Sequence, residues 1–153
     1  MKYSSVLDLH THTVASGHAY CSLREMAKAA ADKGLELLGI TEHAPSMPGT
    51  CHKFYFHNLK VVPREMYGIQ LLLGSEVNIL DAQGTVDLGQ QTLSGMDVVI
   101  ASLHTPCMKP ASRNENTEAY LNAMKNPYVN VIGHPDDGRY EISSGHRRYL
   151  AAK

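Results

Sequence analysis

Five short apolar runs in this chain each stop at a histidine or a glutamate. Val6-Leu7-Asp8-Leu9 leads into His10-Thr11-His12, with His18 close behind, and Leu37-Leu38-Gly39-Ile40 leads into Thr41-Glu42-His43. Residues 69–73 lead into Gly74-Ser75-Glu76, residues 98–101 into Ser102-Leu103-His104, and residues 129–132 into Gly133-His134. Apolar runs this short have strand length rather than helix length. The stretches between them are long enough for helices. Ser22 with Glu25 forms a capping-box pattern, followed at helical spacing by Leu23, Met26, Ala27, Ala30 and Ala31, with Gly34 placed to end the helix. A further helix is predicted over 117–125, striped by Ala119, Tyr120, Leu121 and Met124. Residues 77–80 either extend the third run or pair back on it as a hairpin, and Pro45, Pro48 and Gly49 mark a loop. Strands separated by helix-length connections predict an α/β fold with a mostly parallel sheet.

The strand ends carry the chemistry. Side chains alternate along a strand, so His10 and His12 point the same way. In a parallel α/β barrel the strand C-termini converge on one face, where such proteins build their sites. His10, His12, His18, His43, His104 and His134 would then meet Glu76 in one small volume. Taken singly, each such histidine is better explained as a hydrogen-bonded turn or core residue. Repetition on five successive runs is a poor fit to chance. Crowded imidazoles repel one another when protonated and need partners when neutral, and a metal ion answers both by taking their lone pairs. Imidazole with carboxylate suits Zn first, with Mn or Fe as alternatives, whereas Ca and Mg prefer oxygen. Seven donors exceed what one tetrahedral ion needs, so more than one metal is expected, with Glu76 as the bridge.

Clustered divalent ions lower the pKa of a bound water to about 7, hold the resulting hydroxide and neutralise the oxygens under attack. Phosphate ester hydrolysis fits this platform best, because its barrier lies largely in charge stabilisation and positioning; amide or ester hydrolysis is also chemically open to it. Glu76 and His104 would act through that water. Arg139 is a candidate phosphate clamp, although pairing with Asp136 or Asp137 serves it equally well. There is no GxSxG elbow, GxxxxGKS/T loop, GxGxxG or HExxH.

Composition narrows the partners. The 153 residues carry 14 Lys+Arg against 15 Asp+Glu, a net charge of -1 with histidine neutral, which gives no electrostatic basis for binding nucleic acid or anionic membrane. No run of about 18 apolar residues is present to cross a bilayer. The start shows no signal-peptide pattern, and Cys21, Cys51 and Cys107 are odd in number and widely spaced, so a cytoplasmic, reducing location and buried or semi-buried free thiols are expected.

The ordered motifs His10-Thr11-His12 with His18, Thr41-Glu42-His43, Gly74-Ser75-Glu76, Ser102-Leu103-His104 and Gly133-His134 resemble those of the PHP (polymerase and histidinol phosphatase) family. Residues 56–65 (Phe-His-Asn-Leu-Lys-Val-Val-Pro-Arg-Glu) leading into Gly74-Ser75-Glu76-Val77-Asn78-Ile79 are similar to the YcdX-like phosphatases. The resemblance covers residues 5 to about 141. It implies a distorted (β/α)7 TIM-like barrel holding up to three ions, zinc or manganese, that hydrolyses phosphate monoesters on a small phosphorylated substrate. By the same resemblance His10, His12 and Glu76 would hold one metal, Glu76, His104 and His134 a second, and His18 with His43 a third.

The family pattern finishes with an Asp-x-His pair on the last strand, and no such strand lies in residues 142–153, where His146 sits in a Ser-Gly-His-Arg-Arg context. The expectation is a PHP domain over 1–141, incomplete at its C-terminus, followed by a non-matching tail. Such a barrel would leave a strand edge open to self-association, and would have weakened metal affinity and little activity unless another chain supplied the missing part. A non-catalytic metal-binding module is the alternative from a different class. A metal-dependent amidohydrolase is a third, disfavoured by His18, by Glu76 where a carbamylated lysine would be expected, and by the absent late Asp. Among the remaining residues, His52 and His57 are read as loop surface or aromatic packing, Lys60 and Arg64 as a solvated helix face, Cys107 as a turn residue, and Asp8 as structural or as support for a ligating histidine.

Overall fold

The computed structural model describes residues 4–136. Strands β1 (Leu7–Thr11), β2 (Leu37–His43), β4 (Ile69–Asn78), β5 (Val98–Ser102) and β6 (Val131–Ile132) form a parallel sheet in the order β1-β2-β4-β5-β6. Helix α1 (Leu23–Asp32) lies between β1 and β2, α2 (Lys53–Asn58) follows β2, α3 (Gln90–Leu93) precedes β5, and α4 (Arg113–Ala123) connects β5 to β6. A two-residue strand, β3 (Glu65–Met66), pairs antiparallel with the start of β4. The turn joining them has φ of 54° at Tyr67 and 80° at Gly68, as a tight hairpin turn requires.

The sheet is curled into a half-barrel. β1 and β6 are its two edges, and in a flat sheet their ends would stand about 19 Å apart at the usual strand spacing. Instead the rings of His10, at the end of β1, and His134, just past β6, have centroids 5.0 Å apart.

Alternation along the strands divides the two faces. On β4 the odd positions Leu71, Leu73 and Val77, with Ile79 just beyond its end, are buried with Leu38, Ile40, Val99, Ala101 and Leu103 in one apolar core. Ala27 and Ala30 of α1, with Ala119, Tyr120 and Ala123 of α4, cover it from outside. Small alanines on both helices let them approach the sheet closely. The even positions of β4, Gly74, Glu76 and Asn78, face the concave side together with His43 and Ser102. The register pairs His43 with Glu76 and Asn78 with Ser102, so the polar residues line up across neighbouring strands.

Several expectations are refined. Residues 77–80 do not fold back: β4 runs unbroken to Asn78, with Ile79 bridged to Val86 beyond it. The helix expected from residue 117 begins at Arg113, under a second capping box formed by Ser112 and Glu115. The last strand is confined to Val131–Ile132. His52 N-caps α2, its ring accepting from the Phe54 amide at 3.2 Å, and His57 pairs with Thr92 at 2.8 Å. Arg64 is not a solvated side chain: it donates to the Leu59 and Val62 carbonyls and pairs with Asp97 at 2.6 Å. All three cysteines are free, but Cys21 is exposed rather than semi-buried. Among the described residues no helix is long and apolar enough to cross a membrane. Asp137, Arg139 and His146 lie outside the described residues.

Candidate metal centre

β1 does not run straight into the site. Three steps of β1, from Asp8 to Thr11, match two of β2, from Leu38 to Ile40, which marks a bulge at Leu9–His10. Gly39 makes the close approach there, since a Cβ on it would sit 2.6–2.9 Å from the Leu9 backbone. The Asp8 carboxylate accepts from the His10 backbone N–H at 3.1 Å, so it supports the bulge rather than an imidazole.

Glu76 is fully buried and both of its oxygens meet imidazole nitrogens. Oε2 lies 3.1 Å from His10 Nε2, 3.4 Å from His12 Nε2 and 3.0 Å from His43 Nδ1. Oε1 lies 3.2 Å from His104 Nε2 and 3.1 Å from His134 Nε2, and accepts from the Ser102 hydroxyl at 2.6 Å. His18 joins from the loop after β1, its ring 5.1 Å from His12 and 4.8 Å from His43. All seven residues singled out by the sequence are therefore brought together.

Three triplets have ligand atoms within 4.8 Å of one another: His10, His12 and Glu76; His43, Glu76 and His104; and His12, His18 and His43. The donors fit a cation. His43 Nδ1 and Glu76 Oε2 are buried and, although 3.0 Å apart, have no hydrogen-bond partner. Orphaned buried acceptors of this kind are costly unless an ion occupies the space between them.

Other residues set the imidazoles' orientation, and the sequence did not single them out. Glu42, adjacent to His43, faces the opposite side of β2 and is itself fully buried. It accepts from the Thr13 hydroxyl and backbone N–H and, at 2.5 Å, from the Ser16 hydroxyl. Ser16 has one proton and gives it to Glu42, so its oxygen can only accept from the His43 N–H at 2.9 Å and from His12 Nδ1 at 3.1 Å. This fixes the His12 proton on Nδ1 and leaves Nε2 facing Glu76. Ser16→Ala should lower folding stability by about 1–3 kcal/mol, because it strips a partner from a buried carboxylate; an unchanged urea midpoint would contradict this.

His134 is presented with φ of 51°, in the left-handed region. The Tyr120 hydroxyl from α4 reaches the carbonyls of Gly133 at 3.0 Å and His134 at 3.3 Å, fixing that backbone. Cys107 lies in the turn after β5, its N–H donating to the His104 carbonyl at 2.9 Å. Burial, and then the Asp87 charge, push its thiol up to about 11, so it is no ready thiolate ligand.

A parallel half-barrel that gathers imidazoles and one buried glutamate at its strand C-termini belongs to the α/β barrel class, whose sites are built on that face. Within that class the chain belongs to the PHP family, whose domain matches residues 8–151. It is 54% identical over 144 residues to a probable phosphatase of Clostridium novyi, covering 94% of this chain and 58% of the relative. It is 51% identical to a probable phosphatase of Caldanaerobacter subterraneus, over 93% of this chain and 56% of the relative. Against a probable phosphatase of Clostridium botulinum strain Langeland the identity is 48%, over 94% and 58%. The chain thus spans just over half the length of the curated relatives it matches.

Proposed function

We propose that this chain carries the metal-binding core of a phosphoric monoester hydrolase. The observation that carries the reading is Glu76: a fully buried carboxylate with three imidazole nitrogens around one oxygen and two around the other. His10, His12 and Glu76 would hold one ion, Glu76, His104 and His134 a second, and His18 with His43 a third, Zn first and Mn or Fe as alternatives. Divalent ions held there would supply positive charge to phosphate oxygens and would acidify water. The chain's own part is to fix the donors. Glu76 neutralises charge at the centre from below, and Ser102 locks its carboxylate plane. The exposed side chains of His18 and His134 face the open mouth, where a small phosphorylated substrate would enter. Arg139 is proposed as a phosphate contact. The relatives' names favour phosphate over amide hydrolysis.

β1 and β6 each have a single neighbour among the described residues. We place self-association at these edges, where a second chain would complete the barrel. Metal content after dialysis against Zn2+ or Mn2+, and turnover of p-nitrophenyl phosphate across a range of protein concentration, test both points. The expected result is retained divalent metal, with turnover that needs it and rises as the chain associates. Absence of bound metal would overturn the reading, and robust turnover by the monomer would remove the need for association.

A further inference from the structure

We infer that Asp87 is a positioning residue for His104, acting through the amide of Asn78. This rests on the metal reading proposed above and goes beyond it, because Asp87 touches neither Glu76 nor any imidazole.

Asn78 lies on the concave face at the end of β4 and is fully buried. Its amide offers two N–H donors and one acceptor oxygen. Both donors are taken: Nδ2 donates to Asp87 Oδ2 at 2.6 Å and to the Ala44 carbonyl at 3.2 Å. The other Asp87 oxygen accepts from the Asn78 backbone N–H at 2.9 Å, so the carboxylate grips one residue twice. With both N–H groups committed, the amide oxygen must be the atom facing His104 Nδ1, at 2.7 Å. An oxygen there accepts, so Nδ1 carries a proton. The neutral imidazole then presents a bare lone pair at Nε2, 3.2 Å from Glu76 Oε1. Two acceptors facing each other repel unless a cation lies between them, and the arrangement makes Nε2 a metal donor in advance of any ion.

An ionised carboxylate, with the Ala44 carbonyl beside it, enforces this. It has acceptors only, so it cannot tolerate the flipped amide, which would turn the Asn78 oxygen toward it. An asparagine at position 87 would leave the Ala44 carbonyl as the one acceptor opposing the flip. A flipped Asn78 would push an N–H at His104 Nδ1, move the ring proton to Nε2 and block the lone pair. Asp87 also accepts from the Ser46 N–H at 2.8 Å, which ties the loop after β2 to the same carboxylate.

The test compares Zn2+ affinity, by competition with a chromophoric chelator, in the full chain and in Asp87→Asn. The ring 15N spectrum of His104 in the Zn2+-loaded protein is the second readout. Asp87→Asn should weaken Zn2+ by about 10- to 100-fold, the usual effect of losing an orienting partner. Wild-type His104 should show a protonated Nδ1 and a metal-bound Nε2. If the wild type binds Zn2+ and Asp87→Asn binds it equally well, the relay is wrong and the metal reading stands. Wild-type His104 with Zn2+ on Nδ1 overturns the assignment without any variant, so a folding failure in Asp87→Asn leaves it decidable. A wild type that takes up no Zn2+ overturns the underlying reading itself.

Discussion

Glu76→Gln is expected to give a folded chain that no longer retains divalent metal. The substitution keeps the shape of the side chain but replaces one carboxylate oxygen with an NH2 group and removes a full charge from a buried position. Five imidazole nitrogens lie 3.0–3.4 Å from that carboxylate. An ion held by neutral imidazoles alone would bring uncompensated charge into the interior. Removing one partner of a buried ion pair is worth about 3–5 kcal/mol, which corresponds to roughly 10²- to 5 × 10³-fold in affinity. Folding itself should survive. The Gln amide can donate to an imidazole lone pair where the carboxylate could only face it, so the metal-free variant loses a repulsion as well as an anion. Elemental analysis after dialysis, with near-ultraviolet circular dichroism to establish the fold, decides the matter. A folded Glu76→Gln that keeps the wild-type metal content would show that Glu76 is not the centre of the site.

The donors were legible in the sequence because each stands at the polar end of an apolar run, a pattern of neighbours along the chain. Parallel topology then brings those ends together without further information. The groups that orient the donors were not legible in the same way. Ser16 meets Glu42 across 26 residues, Ser102 meets Glu76 across 26, and His104 meets Asn78 across 26, so no local pattern announces them. Asp87 is nine residues from Asn78, in a loop with no periodicity of its own. The bulge in β1 depends on a glycine of β2 and is equally invisible from the run 6–9. Other omissions had a local signal. Ser112 and Glu115 repeat the capping pattern of Ser22 and Glu25, but the buried Asn116 interrupts the apolar stripe of α4 and hides its first turn. After β2, Pro45, Pro48 and Gly49 marked a loop, but nothing local placed α2 and β3, which form because Phe56, Leu59 and Met66 have core to pack against.

Gly74→Ala should destabilise the chain more than any surface change and disable the site with it. Gly74 sits where β2, β4 and β5 run side by side, paired with Thr41 on one side and Val98 on the other. A Cβ added there would overlap the Val98 carbonyl oxygen, and would lie 2.8 Å from its carbon and 3.1 Å from its Cγ1. The obstacle is backbone, so no rotamer change relieves it, and β5 would have to move away from β4. That corner is otherwise tightly held: the Leu73 N–H donates to the Asp97 carboxylate at 2.9 Å, and Asp97 pairs with Arg64. Overpacking in a close-packed interior usually costs about 1–3 kcal/mol, and a clash between two central strands belongs at or above the top of that range. Because Glu76 is two residues on and pairs with Ile100 of the displaced strand, His104 would leave its place as well and metal uptake should fall together with stability. Gly89→Ala is the matched control. Gly89 has φ of -75° and nothing within 4 Å of an added Cβ, so a change within about 0.5 kcal/mol is expected. Urea unfolding of both variants alongside the wild type separates the cases, and a Gly74→Ala midpoint equal to that of Gly89→Ala would mean that β4 and β5 do not approach as closely as the register requires.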